Sequence, residues 1–342
     1  MLEEHADAPA SLASMMTVGR TLDGAEVRQL TLRGGGLTAT VLTYGATLQS
    51  LRCDGLPRSL VLGSPDFAAY LVDMQHFGAI VGPVANRIAG GRFELDGTIH
   101  ELDRNEHGKN TLHGGSTGFH TRVWEVSDHG HAHCTLTIVQ NNGLGGFPGD
   151  LDVKVRYRLE DDRTLRIDIT GEAKSVALFN PAFHGYWNLD GSTDLSGHAL
   201  EIAADNYLPL DSDQIPKGTP QPVHGTPFDY RRPRVPDSTL DHNFCLSARR
   251  GPLREVARVT ASGHRLTLET TEPGLQVYAA GQTNSGDWRG HGGVPYGLNA
   301  GIALEPQHWP NAPNRPDFTS ARIDAGQRIT QTSRFRIAMR DS

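Results

Sequence analysis

The feature that most constrains the fold is an alternation of apolar and polar residues across 151–170, LDVKVRYRLEDDRTLRIDIT. Successive side chains of a β-strand point to opposite faces, so a repeat of two residues marks a strand with one buried face. The polar residues at 160–163 separate two such runs and have the composition of a turn. The pattern therefore predicts a β-hairpin. Shorter stretches of the same kind occur at 37–41, 134–138, 266–268 and 335–339.

Turn-forming sequences recur from one end of the chain to the other. Many of the 39 glycines stand in turn-like groups, such as GGG at 34–36 and NNG at 141–143, and no long helical periodicity accompanies them. Short strands joined by glycine-rich turns predict an all-β fold, either a sandwich or a barrel. No linker or low-complexity run divides the chain. We therefore expect a loose N-terminal tail over 1–16 and a single domain over 17–342.

Charge and composition disfavour several classes of function. The net charge is −7 and the pI is about 6.1, with no cluster of Lys and Arg, which argues against nucleic acid or an anionic membrane as a partner. No run of about 18 apolar residues is present, so no span of a bilayer is expected. The N-terminus lacks the basic start and apolar run of a signal peptide. Three scattered cysteines indicate reduced thiols and a cytoplasmic location.

Two motifs suggest chemistry but have simpler explanations. Ser116 lies in GGSTG, which matches the elbow of serine hydrolases, but the following FHTRVWEVSD reads as a strand where that elbow requires a helix. His129, His131 and His133 are spaced by two residues just before a strand, with no matching group of carboxylates or cysteines. A solvated hairpin explains them better than a metal. We expect neither a serine nucleophile nor a metal site.

Four other stretches combine residue types that carry out acid–base chemistry. They contain Asn86 and Arg87 in VANRIAGG, His113 in NTLHGG, His184 in NPAFHGYWNL and Glu305 in ALEPQHW. Taken singly, each has a structural alternative, such as a surface ion pair for the arginine or a packing role for a histidine. A carboxylate at a strand end beside an aromatic residue is partly desolvated, which raises its pKa toward that of a general base. Together the set is typical of a polar, aromatic-lined sugar site.

These stretches, in this order, resemble the aldose 1-epimerase (galactose mutarotase) family. The resemblance runs from about Thr17 to Met339 and is carried by FGAIVGPVANRIAGGRFELDG, NTLHGG, HGYWNL, YLPLDSDQIPKGTP, GTPFDYR, LDHNF, EPGLQVY and ALEPQHWPNAPNRPDF. It implies a large antiparallel β-sandwich with many strands. It also implies an isomerase that interconverts the α and β anomers of a free aldose without a cofactor or metal. We expect a monosaccharide as the partner, and a monomer or homodimer.

The resemblance also implies a role for each matching residue. Glu305 matches the general base that takes the proton from the anomeric hydroxyl, and His184 matches the general acid that protonates the ring oxygen. His113 matches a second histidine that supports charge near that oxygen. The positions that grip the sugar correspond to Asn86, Arg87, Tyr186, Asp241 and Gln276.

Anomer exchange needs an acid and a base that act on the same sugar. Ring opening removes a proton from O1 and delivers one to O5. We therefore expect an ionised Glu305 and a protonated His184 on opposite sides of the ring. Burial raises the pKa of a carboxyl group and lowers that of an imidazole, which opposes both charged states. We expect Asp241 to offset part of this shift at His184.

Three positions depart from the family pattern. Pro83 stands in place of Arg, Phe183 in place of Asn and Trp187 in place of the commoner Phe, and we interpret them as positions that affect the preferred sugar. The stretch 281–297 is expected to form a variable loop near the site. The alternative functions are a hexose-6-phosphate 1-epimerase, a non-catalytic sugar-binding protein, and a glycoside hydrolase that uses two carboxylates.

Overall fold

The computed structural model describes residues 14–339. Its strands, numbered β1 to β26 in chain order, are Ser14–Arg20, Glu26–Gly34, Leu37–Leu42, Leu48–Cys53, Ile80–Val81, Arg87–Ile88, Arg92–Leu95, Thr98–Glu101, Thr111–Leu112, Glu125–Gly130, His133–Gln140, Leu151–Glu160, Thr164–Ala173, Ala177–Leu178, Ala182–Phe183, Tyr186–Trp187, Ala199–Ile202, Asn206–Tyr207, Gln221–Pro222, Asp241–Cys245, Arg254–Ala261, His264–Thr270, Gly274–Tyr278, Ile302–Gln307, Arg322–Ile323 and Arg328–Ala338.

Helical structure in this range is limited to short 3-10 turns at Phe67–Leu71, Ala89–Gly91, Gly115–Thr117, Phe119–Thr121, Leu144–Gly146 and Ala312–Asn314. None of the helices within 14–339 has the length and apolar character needed to cross a lipid bilayer. The fold therefore rests on strand pairing, as the turn-rich sequence predicts.

The largest sheet has eight antiparallel strands in the order β10-β11-β12-β13-β26-β22-β21-β17. The hairpin predicted over 151–170 is confirmed as β12 and β13, which pair from Leu151↔Ala173 to Glu160↔Thr164. The apolar residues of β12 are buried, and its turn at 161–163 is exposed. The period-two pattern thus builds the centre of this sheet.

A second antiparallel sheet has the order β16-β24-β23-β20-β18-β19, and β1 to β4 form a third. The large sheet and the six-stranded sheet contribute to one hydrophobic core, which contains Tyr157 and Phe335 from the former and Leu275 and Leu304 from the latter. Strands that cover a shared core on facing sheets form a β-sandwich. The predicted fold class, a large antiparallel all-β sandwich, is confirmed.

The first strand begins before the expected domain boundary. β1 pairs with β2 from Ser14↔Thr31 onward, so residues 14–16 lie in a strand and not in a loose tail. Met15 and Met16 are neighbours and both are exposed. This edge strand therefore lacks the alternation of buried and exposed residues by which a strand is predicted. Residues 1–13 of the expected tail lie outside the described part of the chain.

The two motifs set aside in the sequence have structural roles. Ser116 lies in a 3-10 turn followed by another 3-10 turn, and its backbone N–H donates to Asp103 Oδ2 at 2.7 Å. His129 and His133 lie on the paired strands β10 and β11, where His133 Nε2 contacts Asp128 Oδ2 at 3.1 Å. Neither place has the surroundings of the site that its motif suggested.

Candidate active site

Four of the expected site residues lie on one face of the six-stranded sheet. The registers Asp241↔Tyr278, Gln276↔Glu305 and Tyr186↔Ala303 place these side chains side by side, since directly opposed residues share a face. The intervening residues face the other way and are buried in the core, among them Phe244, Leu275, Val277 and Leu304. One sheet thus carries the site on one surface and part of the core on the other.

The other expected residues come from loops and two-residue strands beside this face. His184 follows β15, and its backbone is held by His184 N–H to Ala79 O at 2.9 Å and Gly78 N–H to His184 O at 3.0 Å. Arg87 lies on β6, and His113 directly follows β9. These two strands pair with the register Arg87↔Leu112. These long-range pairings bring segments far apart in sequence to one cavity.

The cavity has a volume of about 210 Å³. Seven of the eight expected residues line it, namely Asn86, Arg87, His113, His184, Tyr186, Asp241 and Glu305. Gln276 is the exception: it is 3% exposed, and its Nε2 donates to Asp241 Oδ1 at 2.5 Å. Gln276 thus lies on the same face of the sheet without lining the cavity, and its hydrogen bond orients the Asp241 carboxylate.

Glu305 and His184 lie next to each other in the lining of this cavity. His184 Nε2 lies 3.5 Å from Glu305 Oε1, and the side chains are 5% and 2% exposed. No sugar ring fits between atoms this close, so the expectation that the two groups flank the ring is wrong. O1 and O5 of an aldose are both bonded to C1, and an adjacent acid and base can therefore reach both from one side.

Burial sets the protonation of the pair. Burial and then the Asp241 carboxylate raise the pKa of Glu305 well above its ordinary value, while Arg87 opposes them. Burial and then the neighbouring His76 lower the pKa of His184 to about 3. Asp241 thus acts on Glu305 and does not offset the shift at His184, contrary to expectation. Both shifts favour the uncharged forms of the two groups, a carboxylic acid and a neutral imidazole.

His113 has a defined tautomer. Its Nδ1 accepts a hydrogen bond from the backbone N–H of Asn86 at 3.1 Å, and burial lowers its pKa well below the ordinary value. The neutral ring must therefore carry its hydrogen on Nε2. His113, His184 and Glu305 offer atoms within 4.8 Å of one another, as a metal site would. A protonated Nε2 has no lone pair for a metal, so this histidine fits a hydrogen-bond donor better.

Arg87 is paired with a residue that the sequence did not indicate. Its Nε contacts Glu106 Oε1 at 2.9 Å and its Nη2 the same oxygen at 2.9 Å. The backbone is also fixed, because Asn311 N–H donates to Arg87 O at 2.9 Å and Arg87 N–H to Asn86 Oδ1 at 2.8 Å. Glu106 lies in a polar loop and lines the cavity beside Arg87. No pattern in that loop marks it as a site residue.

His76 is a second residue that the sequence analysis missed. It lines the cavity, and its ring centroid lies 4.9 Å from that of His113 and 5.7 Å from that of His184. His76 directly precedes Phe77, the first residue of the family-like stretch FGAIVGPVANRI. A single histidine beside a motif carries no signal of its own.

The three departures from the family pattern lie outside the cavity lining. Phe183 and Trp187 are buried, and their rings pack on Phe335 of β26 with centroids 5.6 Å and 4.9 Å away. Pro83 is also buried, with Gly114 packed beside its ring. These three residues do not line the cavity, so their effect on the preferred sugar stays a prediction that would act through packing. They belong to the packing between the large sheet and the site.

Comparisons with known proteins identify the family of the chain. The model of a family described as aldose 1-epimerase matches residues 28–336. Galactose mutarotase from Rattus norvegicus is 36% identical over 348 residues, covering 95% of this chain and 100% of the rat protein. Aldose 1-epimerase from Escherichia coli (strain K12) is 35% identical over 315 residues, covering 86% of this chain and 90% of that protein.

Solved structures show the same likeness. A crystal structure of an aldose epimerase homologue from C. elegans superposes with a TM-score of 0.85 at 29% identity, covering 92% of this chain and 99% of that one. Galactose 1-epimerase from Lactobacillus acidophilus superposes with a TM-score of 0.82 at 25% identity, covering 97% of this chain and all of the other. On both sequence and structure, the chain belongs to the aldose 1-epimerase family.

Proposed function

We propose that this protein is an isomerase, an aldose 1-epimerase that interconverts the α and β anomers of a free aldose. The observation that carries the proposal is the buried Glu305–His184 pair, 3.5 Å apart, in a cavity lined by groups that bind hydroxyls. Its proton acceptor and donor are close enough to act on two oxygens of one carbon atom. A protein that only bound sugar would have no use for such a pair.

Ring opening follows from this geometry. The Glu305 carboxylate removes the proton from O1–H, and the electrons of that bond form the C1=O1 carbonyl as the C1–O5 bond breaks. O5 takes the proton of the His184 imidazolium. The His113 Nε2–H supports the negative charge that develops on oxygen in this step. The ring of Tyr186 packs beside the imidazole, with its centroid 5.0 Å from that of His184 and a tilt of 47° between the planes.

Ring closure reverses the proton transfers after rotation about C1–C2. Glu305 returns a proton to the carbonyl oxygen, and His184 takes the proton from the O5 hydroxyl as that oxygen attacks the other face of C1. The starting pair (carboxylate and imidazolium) and the open-chain pair (carboxylic acid and imidazole) hold the same single proton. The cycle therefore needs no proton from solvent, metal or cofactor. Burial shifts both pKa values toward the uncharged pair, which is the pair present with the open-chain sugar.

The remaining polar groups hold the sugar. Arg87 and Asn86 supply donors on one side of the cavity, and Asp241, oriented by Gln276, supplies an acceptor on another. Arg87 also lowers the pKa of Glu305 and so favours the carboxylate that the base requires. Binding and proton transfer thus depend on the same guanidinium group.

The charge in the cavity favours a free aldose over a hexose 6-phosphate. The lining includes three carboxyl groups, those of Glu106, Asp241 and Glu305, and Arg87 as its only Lys or Arg among residues 14–339. Arg87 is already paired with Glu106. A phosphate group would meet excess negative charge and no unpaired cation. The proposal therefore takes a neutral monosaccharide as the substrate.

A cytoplasmic location is part of the proposal. Cys53, Cys134 and Cys245 are all free thiols, as expected in a reducing compartment. The acidic net charge of −7 agrees with a small-molecule partner rather than nucleic acid or a membrane surface.

Polarimetry on freshly dissolved α-anomers tests the function. The protein should accelerate the approach to anomeric equilibrium of galactose, glucose, xylose or arabinose, and should act poorly on glucose 6-phosphate. Glu305→Gln should reduce kcat by about 100-fold to 10,000-fold, because it removes the base while keeping its size. Glu101→Gln, at a side chain that is 58% exposed, is the matched control and should act like the wild type.

Two results would contradict the proposal. The first is a wild-type protein that leaves every sugar of the panel at its spontaneous rate. The second is a Glu305→Gln variant that is folded by circular dichroism and as active as the Glu101→Gln control.

A further inference from the structure

His76 lies beside His184 because the backbone of its segment is tied to that residue. Gly78 and Ala79 exchange backbone hydrogen bonds with His184, and β5 then pairs with β15 through Ile80↔Phe183. Gly78 makes the approach possible: its φ is +75°, and a β-carbon there would lie 2.1 Å from the carbonyl oxygen of Leu48. The segment is therefore built to hold His76 against the proton donor.

The His76 ring is the centre of a cluster of four imidazoles. Its centroid lies 4.8 Å from that of His120, 4.9 Å from that of His113 and 5.7 Å from that of His184, and it is nearly parallel to the last at 27°. His113, His120 and His184 are 5% exposed or less, whereas His76 is partly exposed. Among these four rings, His76 is thus the one that reaches furthest into open space.

His76 also borders two neighbouring cavities, which share it as a lining residue. One is the catalytic cavity, and the other, of about 280 Å³, is lined by Asp73, Phe77 and residues 282–284 of the loop expected at 281–297. No residue within 14–339 forms a hydrogen bond with either ring nitrogen of His76. Burial lowers its pKa to about 4, so at neutral pH the ring offers one donor and one acceptor.

We propose that His76 is a substrate-binding residue, which hydrogen-bonds a hydroxyl of the aldose through a ring nitrogen at the wall between His184 and loop 281–297. The inference rests on the proposed function for the identity of the ligand. Its support is positional: an uncommitted polar ring, exposed to the cavity, is held in contact with the group that protonates O5. Both rings line the same cavity, so a sugar that meets His184 lies close to His76.

Two substitutions distinguish the contribution of the His76 ring nitrogens from that of the ring's shape. His76→Phe keeps a planar ring and removes both nitrogens, whereas His76→Asn keeps a donor and an acceptor and removes the ring. His100→Phe is the matched control, since His100 stacks on Phe93 at 5.2 Å on β8 and does not line the cavity. Polarimetry gives KM and kcat, and calorimetric titration gives Kd, with galactose as the probe and glucose in parallel.

We expect His76→Phe to raise KM and Kd about tenfold through loss of one hydrogen bond, with a smaller change in kcat. His76→Asn should restore both constants to within about threefold of the wild type. Unchanged KM and Kd in His76→Phe would overturn the inference, as would a His76→Asn variant that binds as weakly as His76→Phe.

The titration also separates this inference from the proposed function. A wild-type protein that binds galactose without accelerating its mutarotation would contradict the function, while the Kd values of the variants would still decide the role of His76. A wild-type protein that binds neither sugar would overturn both.

Discussion

The side chain of Arg87 lines the cavity and is held in position by its ion pair with Glu106. Glu106 occupies its Nε and Nη2, and the two side chains are 12% and 13% exposed, so water screens their attraction only weakly. Nη1 remains outside this pair. The guanidinium therefore has one orientation in which to meet a sugar, and Glu106 determines that orientation without taking part in proton transfer.

Removing the charge of Glu106 tests this at the scale of one residue. Glu106→Gln should raise KM about fivefold to tenfold, because Arg87 loses the partner that holds it, while kcat changes less. Steady-state polarimetry measures both constants. Glu101→Gln is again the control, since its pair with Arg104 is exposed and contributes little. A change in kcat alone would show that Glu106 acts on the chemistry and not on binding.

The site residues differ in how far the sequence could indicate them. Glu305, His184, His113 and Arg87 lie in motifs whose order resembles a family, and the structure brings them together. Glu106 is 19 residues from Arg87 in a loop of ordinary polar composition, so only the folded chain reveals the pair. Gln276 lies in a recognised motif, yet the sequence could not show that it faces Asp241 and not the ligand.

At the scale of elements, the turn that presents His113 depends on Gly114. Its φ is +87°, and a β-carbon there would lie 2.0 Å from the carbonyl oxygen of Gly82. Two glycines follow His113 in the sequence, and glycine allows close approach of either backbone or ligand. The structure shows that backbone is what approaches: the Gly82–Pro83 segment packs against Gly114 and fixes the loop that carries His113.

Gly114→Ala should displace this loop. We expect kcat to fall at least about tenfold as His113 moves, and the free energy of unfolding to fall by about 1–3 kcal/mol from backbone strain. Gly97→Ala is the matched control, because its φ is +77° but no atom lies within 4 Å of the added carbon. Polarimetry and urea unfolding compare the two. Equal activity in both variants would show that the close contact with Gly82 is not needed.

The elements themselves were predictable only where they are long. Strands β12 and β13 have ten residues each, enough for their alternation to appear in the sequence. The strands next to the proposed catalytic groups, such as β6, β9 and β15, have two residues each. Two residues cannot show a period, and these strands form only because distant partners such as Ile80 and Leu112 are brought beside them.

At the scale of the whole molecule, buried histidines make stability depend on pH. Burial lowers the pKa of eight histidines, with His184 at about 3 and His76 at about 4. In the unfolded chain such rings bind protons below about pH 6.5, while the folded protein keeps them neutral. Lowering the pH therefore favours unfolding, from about pH 6.5 down to the pKa values of these histidines in the folded protein. Glu305 and Asp241, whose pKa values are raised by burial, have the opposite effect, but they are two groups against eight.

The free energy of unfolding should fall by several kcal/mol between about pH 7.5 and about pH 5.5, since each such histidine contributes up to about 1.4 kcal/mol per pH unit below its unfolded pKa. Urea unfolding at a series of pH values measures this, with His76→Phe expected to reduce the slope below the wild-type value. A stability that is flat or that rises toward acid would show that these rings become charged inside the folded protein.

The two-faced sheet that carries the site also limits how its sequence can vary in length. Along β20, β23 and β24, residues of the cavity side and of the core alternate one by one, as with Leu275 and Gln276. A single inserted or deleted residue would reverse which side chains face the cavity and which face the core. The proposed catalytic groups would then point into the core, and aliphatic side chains would point into the cavity. Libraries that seek a new sugar preference should therefore substitute in place on these strands and vary length only in loops such as 281–297.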